Sequence, residues 1–502
     1  MMKIVVNSVR GKIHGCPKKI ATRLRNLCSF RAFGYEFSEY YLSGRWDGYV
    51  RKFDIHRHTF PSGLVHRITK FLDREHIPYK VDDQRKPFDW DEDQVLENID
   101  NFGYVLRPYQ IDGLLKGLSN PYMIYWWATS SGKTVLFAAL IAAMKSKEEH
   151  KRTLILVTTK DLAAQLRTEL SIMLGEKIGV IEEGRFKPEQ ITVAVINTLF
   201  SKAKGTKRGD PVKDYLFNIQ HLILDECHHA IDSKMMKRVI NSCRNTMARH
   251  GFSGSPYSLT TDDMELECLT GPPLSKVTLS FLIRKGYISK VKVTMIDLGG
   301  MPSSRGMRID RAYEKFIVQD SQRNVAICEL AKQLWEDEDM LIILIMIRII
   351  RHGKLIQEEL IRQGVPPEEI EYVHGQTPMG HRHSVKYDMK EGTRRIVISS
   401  QIWNEGIDIP SIDVLIKADA GGGKEVRDGK GVRSVIQQVG RVVRKPKADG
   451  EDVDKKKDNT VLVFDFWDNK NKDLRRWSGN RYNTYKLEPE FDVETIQVGD
   501  DD

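Results

Sequence analysis

Short runs of consecutive apolar residues recur along most of the chain, and segments of helical length and mixed polarity separate them. The clearest runs lie at 153–157, 192–196, 221–224, 341–347, 395–399 and 414–416. A strand of a parallel sheet that is covered on both faces is apolar at almost every position. The pattern therefore predicts an α/β protein, and the alternation is long enough for two parallel sheets divided near residue 275.

The first ninety or so residues have a different pattern. A strand-like run at 3–6 precedes a helical segment at 17–27, a hairpin-like aromatic and basic segment at 40–53, and a second helical segment at 62–75. The polar stretch 82–94 is typical of a linker. We expect a small α/β accessory domain at 1–95 with a possible role in DNA binding, sheet domains at 96–275 and 276–470, and a C-terminal extension with an acidic tail at 471–502.

Bulk properties narrow the class of protein. The chain has 502 residues, 40% of them hydrophobic and 29% charged, and a net charge of +9, which favours a polyanionic partner. The longest apolar run, 341–347, is too short to span a bilayer, and the N-terminus lacks the pattern of a signal peptide. Six scattered cysteines contain no C-x-x-C pair. We expect a cytoplasmic protein (host cytoplasm if phage-encoded), without a membrane segment or structural zinc.

The stretch YWWATSSGKT at 125–134 ends like a phosphate-binding loop, although Trp127 stands where the pattern G-x-x-x-x-G-K-[ST] has its first glycine. Gly132 would allow close approach of the backbone, Lys133 would supply a cation and Thr134 a hydroxyl for Mg²⁺. Ser130 and Ser131 are small enough for a tight turn, and the helix that follows would direct its positive end at a phosphate. The alternative is a chance Gly-Lys-Thr after a buried strand.

The apolar run 221–224 is followed directly by two carboxylates, Asp225 and Glu226. In an ATP-hydrolysing site, the first carboxylate can hold Mg²⁺ through water and the second can polarise the attacking water. A strand that ends in an acidic turn is the alternative explanation. The order of the two motifs along the chain favours the ATP site.

Nine short segments follow each other in a fixed order between residues 106 and 445. They are LRPYQ, ATSSGKT, LVTTKDLAAQ, VAVINTL, DECH, GFSGSP, YVHG, SSQIWNEGIDIP and QQVGRVVRK. Together they resemble the motifs of superfamily 2 helicases over roughly residues 100–445. The resemblance implies two tandem RecA-like parallel-sheet motor domains, preceded here by the small N-terminal α/β accessory domain.

The resemblance also implies roles for individual residues, with ATP and Mg²⁺ as cofactors. Gln110 would read the adenine edge, with Arg107 and Tyr109 shaping its pocket. The residues implied around the phosphates and the metal are Ser130, Ser131, Gly132, Lys133, Thr134, Asp225 and Glu226. His228 would link the nucleotide site to the second domain, near Gln437, and Arg441 and Arg444 would act as arginine fingers. Gly406 and Asp408 would couple the ribose and the nucleotide state to the strand-holding surface.

Contacts with nucleic acid are implied for a further set of loops. Such loops grip phosphates through hydroxyls, backbone N–H groups and helix starts, which gives little sequence preference. The residues are Thr158, Thr159, Lys160, Asn197, Thr198, His374, Gly375, Ser399 and Ser400. Each of them could equally have a purely structural role.

Several segments separate this chain from the RNA-unwinding DEAD-box group. That group would have Asp-Glu-Ala-Asp and a last motif that opens with His-Arg, whereas this chain has DECH and QQVGRVVRK. LRPYQ, GFSGSP and GRVVRK are more similar to DNA-directed members, and overall length and the segment GRWDG at 44–48 are similar to the phage UvsW helicase group. The resemblance implies an ATP-dependent helicase or translocase that unwinds or branch-migrates forked and four-way DNA in recombination, replication and repair.

Two other functions stay open at this point. One is a duplex translocase without strand separation, or an RNA helicase. The other is a nucleotide-gated binding module with negligible turnover, which the presence of Glu226, Gln437, Arg441 and Arg444 disfavours. The expected partner is single-stranded, forked or branched DNA.

Two basic segments have undecided roles. In 38–53, Trp46 is expected in the core of a β-hairpin with Asp47-Gly48 as its turn, whereas Arg45 and Arg51 could face DNA. The glycine-rich stretch 421–433 could contact DNA or serve only as a connection.

Overall fold

The structure is a computed structural model that describes two compact units. It describes residues 1–32, 34–85, 90–100, 104–145, 152–203, 210–231, 233–254, 263–301, 307–400, 412–421, 430–445, 447–448, 451–452 and 456–498. One unit consists of Met1–Trp127 with Gly132–Lys276, and the other of Ala128–Ser131 with Val277–Asp502. The division near 275 that the sequence suggests stays a prediction.

The N-terminal part of the first unit is a small sheet with helices packed on it. Its elements are β1 (Met2–Val6), β2 (Arg10–His14), α1 (Lys18–Leu27), β3 (Ser29–Arg31), α2 (Glu39–Leu42), β4 (Tyr49–Arg51), β5 (Thr59–Pro61), α3 (Val65–Arg74), β6 (Tyr79–Asp83) and α4 (Glu92–Asp100). The strand order is β5-β2-β1-β6, with β1 parallel to β6 and antiparallel to β2. Alternate residues of β1 are buried, because successive side chains of a strand point to opposite faces. They share an apolar core with α1 and α3.

The prediction of a β-hairpin within 40–53 is wrong. Its strand, β4, pairs with β3, which lies upstream of the segment, and the connection between them contains α2. Trp46 is half-buried instead of lying in a core, and its indole N–H donates to the Tyr49 carbonyl at 2.9 Å. The sequence shows that a short strand is present but not which distant strand supplies its hydrogen bonds.

The rest of the first unit is an eight-stranded sheet. Its elements are α5 (Pro108–Ser119), β7 (Tyr122–Trp127), α6 (Lys133–Lys145), β8 (Thr153–Val157), α7 (Lys160–Leu174), β9 (Gly179–Glu182), β10 (Arg185–Lys187), β11 (Ile191–Val195), α8 (Ile196–Ala203), α9 (Pro211–Phe217), β12 (His221–Leu224), α10 (Lys234–Ser242), β13 (Ala248–Ser253), α11 (Asp263–Thr270) and β14 (Pro273–Val277). The order is β10-β9-β11-β8-β12-β13-β7-β14. The central strands are parallel and entirely buried, as their apolar sequences predict.

The second unit is a seven-stranded sheet in which every pairing is parallel. Its elements are α12 (Leu279–Arg284), β15 (Lys290–Asp297), α13 (Ile309–Tyr313), α14 (Ser321–Trp335), β16 (Ile343–Met346), α15 (Ile350–Arg362), β17 (Ile370–Val373), α16 (Met379–Glu391), β18 (Ile396–Ser399), β19 (Val414–Lys417), α17 (Lys430–Val442), β20 (Lys447–Ala448), β21 (Glu451–Asp452), α18 (Lys456–Asn459), β22 (Thr460–Trp467), α19 (Lys472–Lys486) and β23 (Phe491–Gln497). The order is β17-β18-β16-β19-β22-β15-β23.

The C-terminal segment is an integral part of the second sheet. β23 pairs along its whole length with β15. One face of α19 is buried, and this face includes Leu474, Trp477 and Tyr485. Residues 472–497 are therefore part of the second sheet domain. The sequence-based expectation was a separate extension at 471–502. The remaining boundary, at 95, stays a prediction. The fold class is confirmed: two parallel-sheet domains preceded by a small α/β domain.

Candidate active site

The phosphate loop connects β7 to α6. Trp127 is the last residue of β7 and is fully buried; its indole N–H donates to Ser275 Oγ at 2.9 Å. Its ring also lies 5.4 Å from the ring of Tyr109 on α5. Trp127 is therefore a core residue at the end of the strand, and the loop itself begins at Ala128. This explains why the missing glycine at position 127 does not disrupt the loop.

The loop backbone turns sharply at two residues. Ser130 has φ +61° and Gly132 has φ +74°, and the Ser131 hydroxyl donates to the Ala128 carbonyl at 2.7 Å. A non-glycine residue with positive φ carries roughly 1–2 kcal/mol of strain. Such conformations turn backbone N–H groups inward, which is how an anion is held in a loop of this kind.

Gln110 connects the start of α5 to this loop. Its side chain is buried; Oε1 accepts a hydrogen bond from the Arg107 backbone N–H at 2.9 Å, and Nε2 makes a long contact of 3.5 Å with the Gly132 carbonyl. A Cβ atom at Gly132 would lie 2.5 Å from Gln110 Nε2. The residues predicted for the adenine pocket, Arg107, Tyr109 and Gln110, lie close together in the chain. Arg107 is half-buried, and the other two are buried.

Two carboxylates lie at the end of β12, next to the phosphate loop. Asp225 and Glu226 are both buried, and the Glu226 backbone N–H donates to Asp225 Oδ1 at 3.0 Å. Glu226 itself has φ +46°. Lys133 Nζ lies 3.2 Å from Glu226 Oε1. The structure therefore brings the predicted cation and the predicted acidic pair together, although 92 positions separate Lys133 from Asp225 in the chain.

The residues present fit a magnesium ion. The Thr134 hydroxyl and the Asp225 carboxylate are oxygen donors, which Mg²⁺ prefers. Thr134 is half-buried on the first turn of α6, immediately after Lys133.

His228 connects the acidic pair to the end of β13. Its Nδ1 lies 3.3 Å from Glu226 Oε2 and 2.9 Å from Ser253 Oγ. Sequence reasoning placed Ser253 in the segment GFSGSP but gave it no individual role. Because β12 and β13 are parallel neighbours, the segments that follow them meet at one edge of the sheet, and this was the signal that could have identified Ser253.

The predicted residues of the second unit lie on or just after α17. Gln437 and Arg441 are four positions apart and so share one face of the helix, and Arg444 follows the helix end. All three are half-buried. Gly406 and Asp408 lie outside the described residues, as do positions 422–429 of the glycine-rich stretch.

The residues predicted to contact nucleic acid in the first unit follow β8 and β11. These neighbouring parallel strands bring Thr158 and Asn197 to the same sheet edge as Asp225. Thr159 caps α7, since its Oγ1 accepts from the Leu162 backbone N–H at 3.3 Å. Lys160 is exposed and forms an ion pair with Glu183, and Thr198 is half-buried.

In the second unit the corresponding residues follow β17 and β18, which are also parallel neighbours. Gly375 is exposed, and the His374 backbone N–H donates to Thr377 Oγ1 at 3.0 Å. Ser399 is fully buried and its hydroxyl donates to the Ser400 carbonyl at 3.0 Å. A direct contact between the Ser399 side chain and a nucleic acid is therefore disfavoured, whereas Ser400 stands at the strand end.

Within the described parts of the chain, no helix has both the length and the apolar character needed to cross a bilayer.

Known protein families match three parts of the chain in order. The model for DNA helicase UvsW, N-terminal, matches residues 9–82; that for type III restriction enzyme, res subunit, matches 103–258; and that for helicase conserved C-terminal domain matches 323–446. The three matches correspond to the small domain and the two parallel sheets.

Individual proteins agree with the family matches. ATP-dependent DNA helicase uvsW of Enterobacteria phage T4 is 27% identical over 451 residues, covering 86% of this chain and 85% of that protein. DNA 3'-5' translocase XPB2 of Sulfurisphaera tokodaii is 23% identical over 417 residues, covering 74% and 87%. The solved structure of Mycobacterium smegmatis helicase Lhr bound to ssDNA and AMP-PNP has a TM-score of 0.52 at 16% identity, covering 80% of this chain and 50% of that one, and supports the fold alone. The chain therefore belongs to the superfamily 2 helicases and is of the UvsW type.

Proposed function

We propose that this protein is an ATP-dependent DNA helicase that unwinds or branch-migrates forked and four-way DNA during recombination, replication and repair. The observation that carries the proposal is the approach of Lys133 Nζ to Glu226 Oε1, at 3.2 Å, beside Asp225 and the turn at Gly132. The relative from phage T4 is named as an ATP-dependent DNA helicase, which supports DNA as the substrate.

The segments that follow β7 and β12 hold the residues for nucleotide chemistry. The N–H groups of residues 130–134 face a phosphate at the start of α6, where the helix dipole favours negative charge. Lys133 neutralises a terminal phosphate, and Glu226 orients and deprotonates the attacking water. Thr134 and Asp225 would hold a magnesium ion, which would supply charge neutralisation at the transferred phosphoryl group. Gln110 selects adenine, because its side chain is fixed next to the loop at Gly132.

The second unit supplies the residues that sense the transition state. We assign Arg441 and Arg444 to the charge that develops on the transferred phosphoryl group, and Gln437 to the coupling of the nucleotide with the strand-holding loops. Gly406 and Asp408 keep their predicted coupling role. Interactions that exist only while the triphosphate is intact are lost on hydrolysis, so ATP acts as a switch between conformations.

The loops after the parallel strands of both units hold the nucleic-acid backbone. In the first unit these are the loops that carry Thr158, Lys160 and Asn197, and in the second those that carry Gly375 and Ser400. Backbone contacts carry no sequence information, so the activity is independent of DNA sequence. Each cycle of hydrolysis moves one set of contacts along the strand relative to the other.

The test is a comparison of ATPase stimulation and strand displacement on single-stranded DNA, duplex, fork, four-way junction and RNA. We expect the greatest stimulation and displacement with forked and four-way DNA. Lys133→Ala abolishes both activities and leaves DNA binding largely intact, since backbone contacts supply most of the affinity. Normal turnover of Lys133→Ala would contradict the site assignment, and displacement only with RNA would contradict the substrate.

A second candidate is a duplex translocase that does not separate strands. It is favoured by the similarity to a protein named as a DNA 3'-5' translocase. In the same assays this function gives ATPase stimulation by plain duplex without displacement of a strand from any substrate. A triplex-displacement assay then measures the movement directly.

A further inference from the structure

A cavity of about 1040 Å³ lies where the small N-terminal domain meets the first parallel-sheet domain. One side is formed by β2, β5 and the loop between β4 and β5, and the other by α10, α11 and the chain after α10. Both sides belong to the same compact unit. Six cationic side chains line it against two acidic ones; the cations are Arg10, Arg51, Lys52, Arg57, Lys237 and Arg244, and the acids are Asp54 and Glu265.

Some of these charges are already paired. Glu265 forms ion pairs with both Lys52 and Lys237, and Arg51 is paired with Asp47, which lies outside the cavity lining. The Asp54 carboxylate accepts the backbone N–H groups of His56 and Arg57, each at 2.9 Å. The ion pairs engage Arg51, Lys52 and Lys237, and the Asp54 carboxylate also interacts electrostatically with Arg57.

The remaining three cations, Arg10, Arg57 and Arg244, are exposed at the cavity. Among the described residues, the structure gives none of their guanidinium groups an ion-pair partner. Arginine is the side chain best suited to phosphate, because its planar group donates two parallel hydrogen bonds to phosphate oxygens. Three such groups around one cavity indicate a polyanionic ligand.

The two sides of the cavity are firmly joined, so the backbone positions that carry these arginines are fixed relative to each other. Arg67 of α3 makes a two-pronged ion pair with Glu267 of α11, at 2.6 and 2.7 Å. Phe53 and Phe60 are buried in one apolar core with Met264 and Cys268 of α11. A Cβ at Gly63 would meet the Glu267 carbonyl oxygen at 1.9 Å, which shows how closely the two backbones approach. Charges held in place before binding lose less entropy when a ligand arrives.

The kind of polyanion follows from the aromatic residues of the lining. Proteins that hold single-stranded DNA combine cations with exposed aromatic rings on which bases stack. The two aromatic residues in the lining, Phe53 and Phe60, are each only 2% exposed and serve as the floor. The cavity therefore offers contacts to phosphates and none to bases, which suits the outside of a duplex.

We propose that this cavity binds the phosphodiester backbone of a duplex arm of the DNA substrate, through Arg10, Arg57 and Arg244. The inference rests on the proposed function and adds a second contact region to it, separate from the loops at the sheet edge. Because the small domain is joined to the first parallel-sheet domain, the bound arm keeps a constant position relative to the ATP site of that domain. The arm is thereby anchored while the other strand moves.

The test uses the full-length triple variant Arg10→Ser, Arg57→Ser and Arg244→Ser. Fluorescence anisotropy measures affinity for a fork with a duplex arm and for the single strand of the same fork, between 50 and 200 mM salt, a range in which phosphate contacts dominate the salt effect. We expect the fork affinity to fall at least tenfold. The slope of log affinity against log salt should fall by roughly two to three, since each lost phosphate contact lowers it by about 0.9. Affinity for the single strand and ATPase activity stimulated by it should be unchanged.

The control removes three cations of the small domain that do not line the cavity, by Lys18→Ser, Lys19→Ser and Arg74→Ser. All three are exposed. We expect this control to change fork affinity by less than twofold. The triple variant Arg10→Lys, Arg57→Lys and Arg244→Lys should retain most of the fork affinity. Thermal melting of each variant verifies that the fold is intact.

Three results would overturn the proposal: unchanged fork affinity in the triple serine variant, an equal loss in the control, or an equal loss for the single strand. The first result would exclude DNA from the cavity. The second would attribute the loss of fork affinity to overall charge, and the third would attribute it to the path of the single strand. A wild-type protein without DNA-stimulated ATPase would instead contradict the proposed function. The two failures are therefore distinguishable.

Discussion

At the scale of single residues, strained backbone conformations occur at the nucleotide site. Ser130 and Glu226 both have positive φ although neither is glycine. Strain of this kind persists where the surrounding structure over-determines it, and it is concentrated at functional sites. Glu226 is held on one side by Lys133 and on the other by His228, which fixes the direction of its carboxylate.

Gly132→Ala tests the geometry of the loop. A methyl group at this position would lie 2.5 Å from Gln110 Nε2, and the alanine would have to adopt φ +74°. We expect ATP affinity to fall at least tenfold, measured by titration with a fluorescent ATP analogue, with a small change in thermal stability. Gly175→Ala is the matched control, because it has a similar φ of +63° with nothing near its Cβ. Equal effects of the two changes would contradict the role given to Gly132.

A buried histidine pair makes the first unit sensitive to acid. His221 Nε2 and His250 Nδ1 lie 3.0 Å apart, and His250 Nε2 lies 3.2 Å from the Gly117 carbonyl oxygen. The ring of Tyr125 packs against His250. Burial lowers the pKa of His250 from 6.5 to about 4, and burial followed by repulsion from His250 lowers the pKa of His221 well below its ordinary value.

The depressed pKa of His250 determines the direction of the pH effect. Below about pH 6.5 the unfolded chain binds a proton that the folded chain refuses, so the free energy of unfolding decreases as pH falls toward 4. At about 1.4 kcal/mol per unit, His250 alone accounts for roughly 2 kcal/mol between pH 7.5 and pH 5. Urea unfolding at these two pH values should show a smaller decrease in the free energy of unfolding for His250→Gln than for the wild type. The exposed His56 is the control position, and His56→Gln should behave as the wild type. An unaltered pH dependence in His250→Gln would contradict this account.

At the scale of elements, a cluster of buried charges joins the C-terminal helix to the second sheet. Arg481 of α19 donates to Asp465 of β22 at 2.8 and 3.0 Å and to Asp468 at 3.1 Å. The Tyr485 hydroxyl also donates to Asp465, at 2.8 Å. Burial acts to raise the pKa of Asp465, but Arg481 and Lys417 outweigh it and lower the pKa below its usual range. Lys417 in turn contacts Gln438, next to Gln437 on α17.

Arg481→Met should therefore be strongly destabilising. It leaves the buried carboxylate of Asp465 without its guanidinium partner, which costs roughly 3–5 kcal/mol. Urea unfolding followed by circular dichroism measures the loss. Arg476→Met on the same helix is the control, since Arg476 is about half exposed in its pair with Asp473 and should cost less than 1 kcal/mol. A loss below 1 kcal/mol for Arg481→Met would mean that the cluster does not hold α19.

The sequence could predict the elements with strong periodicity and not those defined by distant pairing. The almost wholly apolar strands β8, β12 and β16 were recognisable because both faces of each are covered. In contrast, α19 carries many polar residues, and its buried Arg481 looks like a surface residue until its carboxylate partners are known. Polar residues that are buried in pairs are invisible to a pattern of hydrophobic positions.

For the candidate site, sequence reasoning supplied the chemistry and the structure supplied the neighbours. Lys133, Asp225 and Glu226 could be predicted because their residue types follow buried strands at the right places. The contact of Ser253 with His228, and the packing of Trp127 on Tyr109, depend on which strands are adjacent in the sheet. Strand order is set by the whole fold, so a local motif could not reveal either contact.

At the scale of the whole molecule, the domains have different proposed tasks. We propose that the first parallel-sheet domain binds and hydrolyses ATP, that Arg441 and Arg444 of the second act on the transferred phosphoryl group, and that the small domain holds a duplex arm. These assignments depend on one claim, that Glu226 and Lys133 act on the same triphosphate. If that claim is wrong, the protein has no identified source of energy for movement on DNA.

The most direct test of the claim is single-turnover ATP hydrolysis by the fork-bound protein, with wild type and Glu226→Gln compared. The amide cannot deprotonate the attacking water but keeps the shape of the side chain and a polar contact with Lys133. We predict that hydrolysis slows at least a hundredfold, a typical loss for a general base, while affinity for an ATP analogue changes by less than about fivefold. Hydrolysis at the wild-type rate in Glu226→Gln would contradict the account.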